Sequence, residues 1–314
     1  MDLSKTKVTR REALAALLAG AAAAAGCADE TRRTALGPEP GKELVLCGAD
    51  EVFVVSLRRG FGLSARKVWS WRAAECAEIP EPLKRCFQST DDCKPVDGGR
   101  SILISSSSGA VALVERETGC ARFCAAVTNA HSIEMLPGGR IAAAASVSDS
   151  AGGNRIIVFD IATGRELASD PLASAHGLVW DAERGVLWAL GYDELRAYRV
   201  AEGGGGKDGL KVEFQMTLPD TDGHELSRVP GTPRLFVSTG HGCWSFDCDT
   251  RQLAPHDVLA ATANVKSYAV HPATGRIVYM QGEGKNWWTE HVHFLKPAGT
   301  LHLPGQRLYK ARWL

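Results

Sequence analysis

Six residues able to do acid–base, metal or anion chemistry recur along the chain in one register. Asp91, His131, His176, His224, Lys266 and Lys310 follow one another at intervals of about 40–48 residues, the spacing of a propeller blade. Each stands at the head of a short apolar run, so a repeat would bring all six to one place. A histidine there can simply donate to the carbonyl of a neighbouring repeat. Imidazole, ammonium and carboxylate together can also bind an anion, hold a metal ion or move a proton. His131, His176 and His224 can ligate one zinc ion and leave a fourth position for water or substrate. Such an ion would polarise a carbonyl or acidify its bound water. Lys266 and Lys310 beside them make an electropositive cup suited to the carboxylate of a uronate or another acidic sugar. In a lyase acting on that ligand, Lys266 or an imidazole of lowered pKa would take the proton next to the carboxylate, and Tyr192 would return one to the leaving oxygen.

The elements that must position these residues read as sheet. One unit runs from Ala130 through Gly138-Gly139 to Ile141, the next from His176 to Trp188, a third from His224 through Gly231 to Val237, and a fourth from Lys266 through Gly275 to Tyr279. A weaker copy runs from Asp91 through Gly98-Gly99 to Ile104. In each, a short strand, a Gly or Pro turn and a second apolar strand precede two more strands. Four strands at this period predict an all-β, six-bladed propeller over residues 43–314. An open β-sandwich of similar strand count is the alternative. Glu43 to Cys47 already reads as a second strand, so residues 308–314 are expected to supply the missing inner strand and close the ring. Closure removes open sheet edges.

Loops joining second and third strands open on the same face as the six ring positions. They add Asp50 and Glu51, Asp149 and Asn154, Tyr192 and Asp193, His241, and residues 281–288 with Trp287 and Trp288, whose rings can stack on a sugar. Glu134 and Glu225 read as supporting or solvated, Trp69 and Trp71 as blade packing. His291 and His293 read as one face of a strand. The serines at 105–108 form no nucleophile elbow, and no phosphate loop follows the glycines at 203–206.

Lys and Arg together number 36, as do Asp and Glu, so formal charge is zero and nothing points to nucleic acid. The 33 glycines suit many tight turns. Lys5, Lys7 and Arg10-Arg11 precede an apolar stretch over residues 13–25 that is short for a membrane span. Residues 1–27 are therefore expected to be an export signal, with lipid on Cys27 as the membrane attachment, and residues 28–42 a tether. Setting Cys27 aside leaves eight cysteines. An even number in an exported chain suggests disulfides, Cys76 with Cys86 among them; buried free thiols are the alternative.

Several of these features resemble known families. Ala24-Ala25-Gly26-Cys27 after a twin arginine resembles the lipobox of a twin-arginine lipoprotein, which implies a periplasmic or cell-envelope location. The three register histidines are similar to the zinc centre of peptide amidoglycolate lyase, another six-bladed propeller, although that enzyme draws its ligands from alternate blades and these come from consecutive ones. His291-Val292-His293 resembles the His-x-His pair of oligogalacturonate lyases. The repeats, the leader and the closing Tyr309-Lys310-Ala311-Arg312-Trp313 together resemble uncharacterised bacterial secreted six-bladed propellers of WD40-like or NHL-like kind. The expectation is an exported monomer that binds an anionic or carbohydrate ligand at Asp91, His131, His176, His224, His241, Lys266, Lys310, Trp287 and Trp288. A metal-dependent lyase or hydrolase, with zinc as the cofactor, and a protein scaffold without chemistry are the alternatives.

Overall fold

A computed structural model describes residues 41–60, 62–149, 152–201 and 209–314. The leader, Cys27, nearly all of the tether and the glycines at 203–206 lie outside the described residues. Gly41–Leu314 forms one compact unit, a six-bladed β-propeller of six four-stranded antiparallel sheets. The innermost strands are Thr90–Val96, Ala130–Leu136, Gly177–Asp181, Leu226–Arg228, Val265–Val270 and Lys310–Trp313.

The second strand of a blade is covered on both faces, and the sequence there is continuously apolar or small. Ser101–Ser106 and Val186–Leu190 are buried throughout, and Arg140–Ala145 from its second residue onward. The outer Leu210–Thr217 alternates between covered and open positions, as a half-buried strand must. Apolar side chains gather into six clusters, each between neighbouring blades. Blade-to-blade packing, not a single central core, therefore holds the domain together.

The ring closes as the repeat arithmetic requires. Lys310–Trp313 pairs antiparallel with Glu43–Gly48, placing Leu44 opposite Trp313 and Cys47 opposite Lys310. Residues 73–87 depart from pure sheet, forming the short helical turns Ala73–Glu75, Glu81–Lys84 and Arg85–Phe87 between the first two blades. Trp71 meets Phe87 edge-on at 5.6 Å. The Trp69 and Trp71 indoles donate to the carbonyls of Arg116 and Gly119, confirming their packing role. All eight cysteines of the unit are free thiols. Cys76 turns toward Glu78 and the Gly119 carbonyl, and Cys86 toward the Pro82 carbonyl, so the expected Cys76–Cys86 staple is not made. No helix among the described residues is long and apolar enough to cross a membrane.

Candidate functional site

Local backbone geometry explains how six distant residues reach one axis. Asp91, His131 and Lys266 are each the residue skipped where the register of an innermost strand shifts. A residue left out of the ladder in this way has its side chain re-aimed. His176 and His224 sit just ahead of their strands, their N–H groups held by the carbonyls of Leu190 and Ser238. Two residues before four of the ring positions stands a residue with positive φ: Asn129, Ser174, Asp222 and Asn264. Asn and Asp adopt that conformation at least cost. The repeat therefore carries a finer signature than its period, a small polar residue, a spacer, then His or Lys. That signal was present in the sequence and went unused above.

The polar residue also orients the ring that follows. Asn129 Nδ2 donates to the Val147 carbonyl, so its Oδ1 accepts from His131 Nε2 at 3.0 Å. His131 then carries its proton on Nε2 and turns the Nδ1 lone pair toward Asp91 Oδ1, 3.5 Å away. His176 Nδ1 donates to the Ser174 carbonyl at 3.0 Å, which leaves Nε2 as its acceptor. Asn154 braces that turn by accepting the Ser174 N–H. The imidazoles pack as a column: His131 stacks on His176 with centroids 4.0 Å apart, and His176 meets His224 at 5.1 Å.

Charge in the cup is unequally matched. Lys310 is 1% exposed and donates to Glu225 Oε2 at 2.8 Å. It is thus a component of the floor, not the open ammonium the register suggested. Lys266 is 6% exposed and donates to His224 Nε2 at 2.6 Å. Among the described residues no carboxylate forms an ion pair with it; Asp222 lies 3.3 Å from the same His224 Nε2 and acts on Lys266 only through space. With Nε2 accepting from Lys266, the His224 proton belongs on Nδ1, a buried nitrogen with no partner. A buried orphan donor is costly to leave unmatched.

Burial moves the titration of Asp91, the three imidazoles and Lys266. It pushes the Asp91 carboxyl up to about 7, against the opposing Ser107 N–H and the Lys310 charge. His131 is pushed down to about 3 by burial and then by Lys310 and His224. His176 is held well below the usual imidazole range by burial and its two histidine neighbours. His224 is lowered by burial. Lys266 is lowered to about 8 by burial, with Asp222 opposing and Lys310 adding to the shift. At neutral pH the imidazoles are neutral and Lys266 is charged.

Beneath the cup lies a buried ionic layer that the sequence did not single out. Arg312 Nη2 contacts Asp92 Oδ1 at 2.9 Å and Arg312 Nη1 contacts Glu225 Oε1 at 2.6 Å. Ser132 Oγ donates to Asp92 Oδ2 at 2.9 Å. Although burial opposes it, Arg312, Lys310 and Lys94 hold Asp92 well below the ordinary carboxylate range. Glu225 is not solvated; it is 0% exposed. Glu134 supports Lys94 at 2.8 Å. Tyr309 is a second residue missed, packed against His131 at 6.1 Å and Trp287 at 5.6 Å.

The loop residues are brought in less completely. Trp287 is 40% exposed at the rim, while Trp288 is half-buried under the Arg307 guanidinium. Tyr192 is exposed at the rim. His241 is 84% exposed and pairs with Asp220 at 3.1 Å, outside the column. Asp50 and Glu51 are engaged by Arg72, and Glu51 also by Lys67. Asp149 is exposed. His291 and His293 lie on the third strand of their blade, stacked on His302 and Tyr279 respectively. The serine loop has a use: the Ser107 N–H donates to Asp91 Oδ2 at 2.5 Å.

The three-His zinc arrangement does not form from these positions. Consecutive blades bring His131 and His176 face to face and His176 and His224 edge-on, and His224 Nε2 is taken by an ammonium. Among the described residues no group of three or more His, Cys, Asp or Glu is arranged to hold a metal ion.

A family model described as a family of unknown function (DUF6528) matches residues 11–314. Among solved structures, the crystal structure of the Saccharomyces cerevisiae Sqt1 is similar at 14% identity, with 78% of this chain and 67% of that chain covered and a TM-score of 0.49. No curated protein matches the chain.

Proposed function

Since the chain belongs to the DUF6528 family of unknown function, its role must be argued from its own side chains, and we propose that it binds a small anionic ligand at the axial His/Lys cup. The observation that carries this reading is Lys266, a buried ammonium with an imidazole, not a carboxylate, as its hydrogen-bond partner. A buried charge without an opposite partner is unfavourable unless a ligand supplies one. The orphan Nδ1–H of His224 offers that ligand a second donor. A carboxylate accepts from both kinds of group. Trp287, open at the rim beside Tyr309, offers a flat face to the remainder, which favours an acidic sugar over a bare inorganic anion. Binding is the reading adopted. We propose with it an exported, lipid-anchored placement through Cys27, which rests on the N-terminal sequence alone.

Calorimetric titration tests this with D-galacturonate against galactose. Galacturonate is expected to bind one per chain and galactose not measurably. Lys266→Met should weaken galacturonate at least tenfold. Lys266 loses its charge above about pH 8, so affinity should fall through that pH. The bound anion raises the lysine pKa again, so binding at pH 8.5 should take up protons, seen as a dependence of the heat on buffer ionisation. Equal affinity in the Lys266→Met protein would remove the basis of the reading.

A further inference from the structure

We infer that the propeller has a second ligand site at the opposite end of its axis, built for a neutral, flat, largely apolar molecule that carries one hydroxyl or carbonyl. A cavity of about 400 Å³ opens there, within the roughly 300–1,000 Å³ range of small-molecule sites. All six innermost strands line it. The wall residues stand three or four positions beyond the cup residues: Lys94 after Asp91, Glu134 after His131, Trp180 after His176, Ser227 after His224, Val270 after Lys266 and Trp313 after Lys310. At about 3.3 Å per residue, this separates the two sites by roughly 10–13 Å. The Arg312 layer lies between them. This inference is independent of the anion reading of the cup.

The chemistry of the wall selects the ligand. Trp180, Tyr268 and Trp313 are its aromatic surfaces, with Val179, Leu226, Val270 and Pro272 between them. The charged groups at its edge are already matched. Lys94 Nζ donates to Glu134 Oε2 at 2.8 Å and to the Leu178 carbonyl at 2.6 Å. Arg228 meets Asp181 at 3.2 Å, and Arg312 is shared by Asp92 and Glu225. An ion entering this cavity would find no counter-charge and would lose its hydration. One polar atom does lack a partner: the Ser227 hydroxyl, buried and without a hydrogen bond. Its position fixes where the single polar group of the ligand belongs.

Nile red, a neutral planar carbonyl compound, is a suitable probe. It should bind with one site per chain, with a blue-shifted emission and with energy transfer from Trp180 and Trp313. Ser227→Ala, which deletes the hydroxyl and adds no bulk, should weaken it about tenfold. Val270→Trp, placed on a half-buried wall position, should abolish binding by filling the space. Affinity should be the same in 50 mM and 500 mM salt and in the Lys266→Met protein, which separates this site from the cup. Binding unchanged in Ser227→Ala, or competed by galacturonate, would overturn the inference. Should Val270→Trp fail to fold, the Ser227→Ala comparison decides alone.

Discussion

Glu225→Gln should cost about 3–5 kcal/mol of unfolding free energy, the usual penalty for breaking a buried ion pair by deleting one partner. The Glu225 carboxylate accepts from Lys310 Nζ at 2.8 Å and from Arg312 Nη1 and Nη2 at 2.6 and 3.1 Å. All three side chains are buried. Gln keeps the shape but presents an amide donor to two cations. Lys310 and Arg312 both lie on Lys310–Trp313, the strand that closes the ring, so the loss falls on the latch of the propeller. Hydrogen exchange at the amides of Ala311 and Arg312 should accelerate more than exchange in Ser101–Ser106. Glu183→Gln is the control. Glu183 is 73% exposed in its pairs with Arg184 and Arg228, and such pairs contribute about 0–1 kcal/mol. Urea unfolding of the two variants reads the comparison. Equal losses would mean that the ionic layer does not hold the ring.

The fold was legible because its period is carried by turns. Gly138-Gly139, Gly231 and Gly275 take the positive φ that a tight return demands, and they recur whether or not the strands between them resemble one another. The incomplete first blade and the unpaired final residues complement each other in the sequence itself, and Leu44 does face Trp313. Convergence of the six ring residues was legible for the same reason: equal places in equal repeats must meet on an axis. Orientation was not. Whether three imidazoles aim nitrogens at one point or pack against one another depends on χ angles set by Asn129, Ser174 and Lys266, and a period carries no information on that. Arg312 escaped notice because it belongs to the one inner strand without a hairpin of its own. Its partners Asp92 and Glu225 stand one place beyond the register residues Asp91 and His224, facing the layer below. The cavity at the far end was illegible for a different reason. It is made of ordinary apolar strand residues, distinctive only once a hydroxyl among them is found unmatched.

The cup and the ionic layer share Lys310, which contacts Glu225 below and lies 5.9 Å from the Tyr309 ring above. The same cation depresses His131 and Lys266 and draws Asp91 downward. The affinity of the cup for an anion and the stability of the closing strand are therefore set by one ammonium. Substitutions at Lys310 will change both, whereas Lys266→Met addresses the cup alone.

Acid should unfold this protein early, and the column of imidazoles is the reason. An unfolded imidazole takes its proton near the ordinary value of 6.5, whereas folded His131 does so at about 3, and His176 and His224 are shifted in the same direction. Below pH 6.5 the unfolded chain therefore binds more protons than the native one, and stability falls as pH falls. Each such site contributes about 1.4 kcal/mol per pH unit. Asp91 has the opposite sign. Its folded value of about 7 exceeds the ordinary 3.8, so its stabilisation is complete below the unfolded value and is lost as pH rises through 7. Glu134, raised by burial, acts with it, while Asp92, lowered despite burial by Arg312, Lys310 and Lys94, acts with the imidazoles near pH 4. Three lowered imidazoles against the two raised carboxyls of Asp91 and Glu134 leave on the order of one proton, or roughly 1.4 kcal/mol per pH unit, on the acid side. Stability should thus drop on the acid side of pH 6.5. Urea midpoints measured from pH 4.5 to 7.5 trace this curve. His176→Gln should flatten the acid limb by about one proton, and Asp91→Asn, which deletes the opposing group, should steepen it by about one. An acid limb equally steep in His176→Gln would show that the imidazoles are already protonated in the folded ring. The stacked, neutral column, and with it the lone pair that His224 offers to Lys266, could then not exist.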